Sequence, residues 1–148
     1  MAEYSAVADQ LVNPGEDIVF TETRQNCGRG LVRHRDGTSS FLLSGTVRCR
    51  CKKCADYMVS FGANISIPEG GTVAPITLAL VVDGSVDQAS AMEVTPAAVN
   101  QYTSVSRDID IPIWAGCCET LAVRNTSDQV IQVKQVTIDI DRPDLARW

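Results

Sequence analysis

The chain lacks any run near the ~20 consecutive apolar residues that a membrane-crossing helix needs, so no membrane partner is expected. It is short of positive charge. Against 18 Asp and Glu stand 13 Lys and Arg, and the formal net charge of -5 repels phosphate backbones, so nucleic acid is not an expected partner. Aromatic residues make up only 5%, and nothing in the sequence singles out a sugar-stacking platform. There is one histidine, so any Ser-His-Asp triad would have to use His34, and no serine sits in a nucleophile-elbow pattern. Met1-Ala2-Glu3-Tyr4-Ser5 is not a basic region followed by an apolar run. No secretory signal is expected there, and reduced thiols are then the default. Long helical periodicity, low-complexity linkers and internal repeats are also missing.

What is present fits one domain over residues 1–148. Residues 1–14 read as an N-terminal arm or first strand, and 142–148 as a proline-broken tail that frays or packs on a partner. The dominant pattern has a period of two. Ala55, Tyr57, Val59, Phe61, Ala63, Ile65 and Ile67 alternate with Asp56, Met58, Ser60, Gly62, Asn64 and Ser66. Met58 apart, that marks a strand with one wet face and one buried face. Ile76, Leu78, Leu80 and Val82 share a phase, and Ala79 and Val81 make the opposite face apolar too, so the fold or a partner chain must cover both sides. Asp83-Gly84 is a hairpin signal, with a return strand over Val86 to Val94. Thr103, Val105, Ile109, Ile111 and Ile113 share a phase, with Pro112 marking an edge or strand end. Cys117 to Val123 reads as a strand after the turn Ala115-Gly116. From Val130 to Asp141, Ile131 and Val133 lie in one phase and Val136, Ile138 and Ile140 in the other, a slip at Lys134-Gln135 that a β-bulge explains. Earlier strands are expected over Ala6 to Val12, Asp17 to Glu22, Leu31 to Arg35 and Ser40 to Leu43. The sum is an all-β fold of about 8–10 antiparallel strands, a sandwich, jelly roll or barrel.

Several residues could carry chemistry. Cys49, Cys51 and Cys54 could bind zinc as thiolates, with Cys27, His34, Cys117 or Cys118 as a fourth ligand. The competing reading is small buried hydrophobes or an opportunistic disulfide, and a zinc ribbon would show two paired C-x-x-C knuckles. Cys117 and Cys118 are adjacent and, on a regular strand, point to opposite faces, which favours a bland buried role. Asp108, Asp110, Asp139 and Asp141 alternate on two segments and would form a calcium site if those strands paired. Ordinary solvated faces are the alternative. His34 lies between Arg33 and Arg35, with Asp36 and Ser39 close in sequence, and reads as a surface or interface residue rather than a base. Gly28-Arg29-Gly30 and Gly70-Gly71 do not sit between a strand and a helix, as a phosphate loop must. Trp114 and Trp148 are candidate interface anchors.

The order of three stretches resembles the tumour-necrosis-factor and complement globular-head superfamily, in its bacterial and phage branch. They are Gln10-Leu11-Val12-Asn13-Pro14-Gly15-Glu16-Asp17-Ile18-Val19-Phe20; Tyr57-Met58-Val59-Ser60-Phe61 with Leu78-Ala79-Leu80-Val81-Val82-Asp83-Gly84; and Ile111-Pro112-Ile113-Trp114-Ala115-Gly116 through Leu121-Ala122-Val123-Arg124-Asn125-Thr126-Ser127 to Val136-Thr137-Ile138-Asp139-Ile140. The resemblance implies a jelly roll, a homotrimer and a place on a particle or cell surface. Relatives with collagen-like stalks carry Gly-X-Y repeats, and this chain has none. The first functional expectation is therefore a non-enzymatic phage virion accessory protein, a trimeric capsid decoration or head-fibre protein assembled in the host cytoplasm against a major capsid or other virion protein. Its interface would draw on Tyr57, Val59, Phe61, Leu80, Ile111 and Trp114. The alternative is a lectin-like or receptor-binding head, of exosporium or tail-fibre-tip type, that meets a host-surface glycan. A metal hydrolase built on His34 or the cysteines is the third reading. No cofactor is expected beyond the candidate zinc or calcium.

Overall fold

Side chains that alternate between wet and dry require extended backbone paired on both sides, and a computed structural model of residues 1–26 and 30–145 shows where the partners lie. The strands are β1 (Ala2–Ala6), β2 (Gln10–Val12), β3 (Glu22–Asn26), β4 (Val32–His34), β5 (Phe41–Gly45), β6 (Cys54–Ser66), β7 (Ile76–Val82), β8 (Ser85–Val86), β9 (Met92–Val94), β10 (Thr103–Trp114), β11 (Gly116–Asn125) and β12 (Ile131–Asp141). Sheet A has the order β10-β6-β12-β1-β3, with β2 also on β12; sheet B has the order β4-β5-β11-β7-β8, with β9 also on β7. All these ladders are antiparallel. The two sheets form an all-β sandwich, as the alternation predicts, of the jelly-roll type that the resemblance implies. Cys27, Gly28, Arg29 and Trp148 lie outside the described residues. Among the described residues no helix is long and apolar enough to cross a membrane.

The core lies between the sheets and follows the sequence phase. On β6, Ala55, Tyr57, Val59, Phe61, Ala63 and Ile65 are buried, and Met58 is exposed with the polar phase. Ile111 and Ile113 of β10, and Val136, Ile138 and Ile140 of β12, complete that side. Phe41, Leu43, Leu78, Leu80, Leu121 and Val123 face them from sheet B. Ala79 and Val81 are also buried within the single chain. The fold itself therefore covers both sides of β7, and no partner is needed there.

Where the strands depart from expectation, a polar group or a partner's irregularity is the cause. Asp83 and Gly84 both have positive φ, as a two-residue type I′ hairpin requires, and Val82 pairs with Ser85. The return strand then stops after two residues. The Ser90 hydroxyl accepts the Leu80 amide at 2.7 Å and donates to the Asp87 carbonyl at 2.6 Å, while the Asp87 carboxylate caps the Ala89 amide at 3.0 Å. These local bonds replace the ladder with one 3-10 turn over Gln88–Ser90 before β9 resumes on the far end of β7. The bulge at Lys134-Gln135 is present, with Gln135 at φ 51° and a register shift against β6. It also splits the expected strand Ala6 to Val12. β1 pairs with β12 beyond the bulge and β2 before it, and the Gln135 amide reaches the Val7 carbonyl between them. Asp17 to Glu22 makes only isolated bridges, from Asp17 to Arg124 and from Phe20 to Thr38. Ile18 and Phe20 are nonetheless fully buried. With these splits the described residues form twelve strands, where about eight to ten are expected.

One close approach fixes the end of the sandwich. Gly45 pairs with Gly116, and a Cβ at Gly45 would clash with the Trp114 carbonyl oxygen and stand 2.8 and 2.9 Å from the Gly116 oxygen and nitrogen. Gly45→Ala is expected to lower stability by about 1–3 kcal/mol, the usual range for overpacking. Urea unfolding followed by circular dichroism measures it, and an unchanged midpoint would mean that β11 moves aside freely.

Candidate functional site

Two features separate in space: a cysteine-bearing end of the sandwich and the outer face of sheet A. At the end, the connection 46–53 lies beside the turn at Ala115, whose amide donates to the Lys53 carbonyl at 2.8 Å. Cys54 pairs with Trp114 across the ladder. Cys49 and Cys51 sit on a turn and are joined as a disulfide, while Cys54 is half-buried at the start of β6. This corrects the zinc expectation at Cys49, Cys51 and Cys54. Two of the three sulfurs are bonded to each other and offer no thiolate. Among the described residues no group of three or more His, Cys, Asp or Glu is placed to hold a metal ion.

His34 does not serve as a ligand either. Its ring stacks on Phe41 with centroids 4.3 Å apart and meets Tyr4 edge-on at 5.0 Å. Nδ1 lies 2.9 Å from the Ser40 carbonyl oxygen and Nε2 3.1 Å from that of Phe20. Each ring nitrogen thus faces a backbone carbonyl oxygen, to one of which a neutral ring donates, and Asp36 accepts from the Thr23 hydroxyl at 2.6 Å instead of addressing the imidazole. The ring is a structural tie between β4, β5 and the Phe20 segment.

The start of the tail is equally structural. Arg142 is buried, its Nε and Nη2 each 2.9 Å from a different Asp144 carboxylate oxygen, with its guanidinium 5.0 Å over the Tyr57 ring. The Tyr57 hydroxyl donates to the Ser44 carbonyl at 2.7 Å. The hydrogen bonds from Arg142 hold the Asp144 carboxyl below the usual carboxylate range. Burial pushes the Tyr57 phenol up. Nothing in the sequence marked this lock, because a tail arginine close to an aspartate is common and its burial depends on where Tyr57 lies.

The interface residues divide. Tyr57, Val59, Phe61, Leu80 and Ile111 are buried in the core of one chain, at 3% exposure or less. A second copy cannot touch them in the folded state, so they are corrected from interface to core. Trp114 alone stays exposed, at 64%, on the outer face of the edge strand β10. Pro112 precedes it on that face, and Met58, 38% exposed, lies on the neighbouring strand beyond Asp56.

Carboxylates surround this apolar stripe. β6 separates the two aspartate pairs: Asp108 and Asp139 both register with Ser60, and Asp110 and Asp141 both with Met58. Their backbones stand about 10 Å apart, two strand spacings. The strands do not pair, and the expected calcium site is not formed. What results is an acidic sheet face, joined by Glu3, which registers with Asp139. On sheet B the charge reverses. A shallow groove there is lined by Arg33, His34, Arg35, Thr38, Ser40 and Thr120, with both arginines exposed.

The acidic face carries a cost. Burial, and then the Glu3 charge, raise the Asp139 carboxyl above its ordinary value, with Arg24 opposing, and its Oδ1 is buried without a hydrogen-bond partner. A carboxyl raised on folding favours the folded state while protonated. That stability is fully present below the ordinary carboxylate range and is lost as pH rises through the raised value. Asp139→Asn is therefore expected to raise the denaturation midpoint at neutral pH, with the gain vanishing on acidification below that range. A pH series of urea melts on both proteins checks it; a gain independent of pH would reject the assignment.

No family model and no curated protein matches the chain. Solved structures do. The globular domain of zebrafish complement 1qA superimposes with a TM-score of 0.55, over 93% of this chain and 94% of that one, at 10% identity. The C-terminal domain of EclA, described as a sugar-binding protein, reaches 0.43 over 92% and 79% at 15% identity. A family 35 carbohydrate binding module from an environmental isolate reaches 0.40 over 95% and 93% at 18% identity. The last two scores are too low to argue from. The first shows that the chain has the complement-head type of jelly-roll fold, and at that identity it shows the fold alone.

Proposed function

We propose that this chain is a non-enzymatic binding and assembly domain that works as a homotrimer, with the Trp114 face of one copy set against the Arg33 and Arg35 groove of the next. The observation that carries the reading is Trp114, a large apolar side chain 64% exposed on the edge strand β10, with Pro112 two residues before it on the same face and Met58 farther along. An indole in that position is an interface anchor, because aromatics supply much burial per residue. Charge fixes the partner surface. Two acidic faces repel, whereas acidic sheet A and the basic groove of sheet B attract. Joining two different patches of identical subunits gives a cyclic assembly if the rotation closes, and three-fold closure is what the family resemblance implies. In this reading the trimer is a phage capsid decoration or head-fibre protein, a placement that draws on the sequence likeness only. Two of the groups weighed for a hydrolase have other roles, His34 facing backbone carbonyls and Cys49 bonded to Cys51, which supports a non-enzymatic reading.

A second reading has its own support. The same indole stands diagonally across the ladder from Asp56, and a flat aromatic near a hydroxyl-accepting carboxylate suits a host-surface glycan. The two readings make different predictions. Solution mass by light scattering is expected to be three times that of the chain. Trp114→Ala should weaken association by about 2 kcal/mol or more, roughly thirtyfold, and high salt should weaken it further. A monomer at all concentrations would reject the trimer. If that monomer also bound a glycan array through Trp114, the second reading would replace the first.

A further inference from the structure

The sulfur chemistry of β11 is not used by either reading. In the ladder with β5, Gly116 pairs with Gly45 and Glu119 with Leu43, so three steps along β11 face two along β5. The extra residue is a β-bulge. On a regular strand Cys117 and Cys118 would point to opposite faces. The bulge instead turns both thiols together, with the Sγ atoms 2.7 Å apart. Cys117 is exposed and Cys118 half-buried, and neither is in a disulfide. The Cys117 thiol beside it raises the Cys118 thiol, while the Arg33 charge acts the other way.

We infer that Cys117 and Cys118 form a redox modification site, a vicinal dithiol that a small-molecule disulfide oxidises reversibly to an internal disulfide. The exposed Cys117 loses its proton to solvent and attacks one sulfur of the small disulfide. A mixed disulfide forms on Cys117, and the first small thiolate leaves and is protonated. Cys118 then gives its proton to solvent, its thiolate attacks the Cys117 sulfur and closes the Cys117–Cys118 bond, and the second small thiolate leaves and is protonated. One small disulfide is reduced to two thiols, and the protein dithiol is oxidised by two electrons. Approach of the sulfurs is the costly part of the second step, and the bulge has already provided it. Adjacent Cα atoms lie about 3.8 Å apart, shorter than the roughly 4.4–6.8 Å of ordinary disulfides. The closed form is therefore strained and readily reduced, which makes the modification reversible.

Trypsin offers a clean readout. Cleavage after Arg107 and Arg124 releases Asp108 to Arg124, whose only cysteines are this pair. The folded full chain is treated with oxidised glutathione, alkylated and digested. The expected result is that this peptide becomes lighter by two hydrogens and escapes alkylation, and that dithiothreitol restores it. Cys118→Ser, which cannot close the bond, should instead keep a stable glutathione adduct on Cys117. A lasting adduct on the unaltered protein, a cross-link from this peptide to another cysteine, or full alkylation after treatment would each overturn the proposal. Circular dichroism of Cys118→Ser verifies that it is folded. The assembly state plays no part in these readouts, so they stand or fall apart from the trimer.

Discussion

The register of β6 governs the rest of the molecule. Of its thirteen residues, β10 pairs with Cys54 to Ile65 along one edge, and β12 pairs along the other between Met58 and Ser66. Side chains on a strand alternate with a period of two, so a slip of one residue would turn Tyr57, Val59, Phe61 and Ile65 out and Asp56, Ser60 and Asn64 in. Burying those polar groups would cost far more than any single contact contributes. Register is therefore held by the core. Everything on the outer face, Trp114 opposite Cys54 and the aspartates in rank across Ser60 and Met58, is placed as its consequence.

Two bulges interrupt this regularity, and each redirects side chains. In β12 the residue at Gln135 lets Ile131 and Val133 point inward before it and Val136, Ile138 and Ile140 after it, so that both phases reach one core. The same irregularity divides the N-terminal pairing between β1 and β2. In β11 the bulge lies at the sandwich end and buries nothing. It brings two thiols together in a half-open setting beside the cysteine-bearing connection. The first bulge serves packing; the second has no packing role that would account for it.

Period, hairpin and bulge were legible because they are local. The phases of β6, β10 and β12, the type I′ turn at Asp83-Gly84, the edge position of Pro112 and the slip at Lys134-Gln135 each need only neighbouring residues. Alternation tells which side chains are covered and not what covers them. That is why Tyr57, Val59, Phe61, Leu80 and Ile111 read as interface from sequence, when the facing sheet of the same chain covers each of them. Non-local facts were illegible for the same reason. The strand between the aspartate pairs, the Arg142 lock on Tyr57 and the stacking of His34 on Phe41 all depend on topology. The thiol pair was misread because a regular strand was assumed where the chain bulges. The spacing Cys49-Arg50-Cys51 fits a strand, a zinc knuckle or a turn equally, and only the turn lets those two sulfurs meet.

The charge on the two outer surfaces bears on why the chain exposes an indole at all. A subunit selected only to remain soluble would spread its carboxylates and cover its aromatics. Here Glu3 and Asp139 oppose each other across β1 and β12, one Asp139 oxygen is buried without a donor, and Trp114 projects from the same sheet. The exposed ring and the acidic face both suit one kind of partner in the proposed assembly: a surface with fixed positive charge and an apolar seat for the ring. The groove between Arg33 and Arg35 has the first property, and it lies on the opposite sheet, where a subunit cannot reach its own acidic face. In the proposed trimer that surface belongs to the next copy of the chain, which always carries the matching groove.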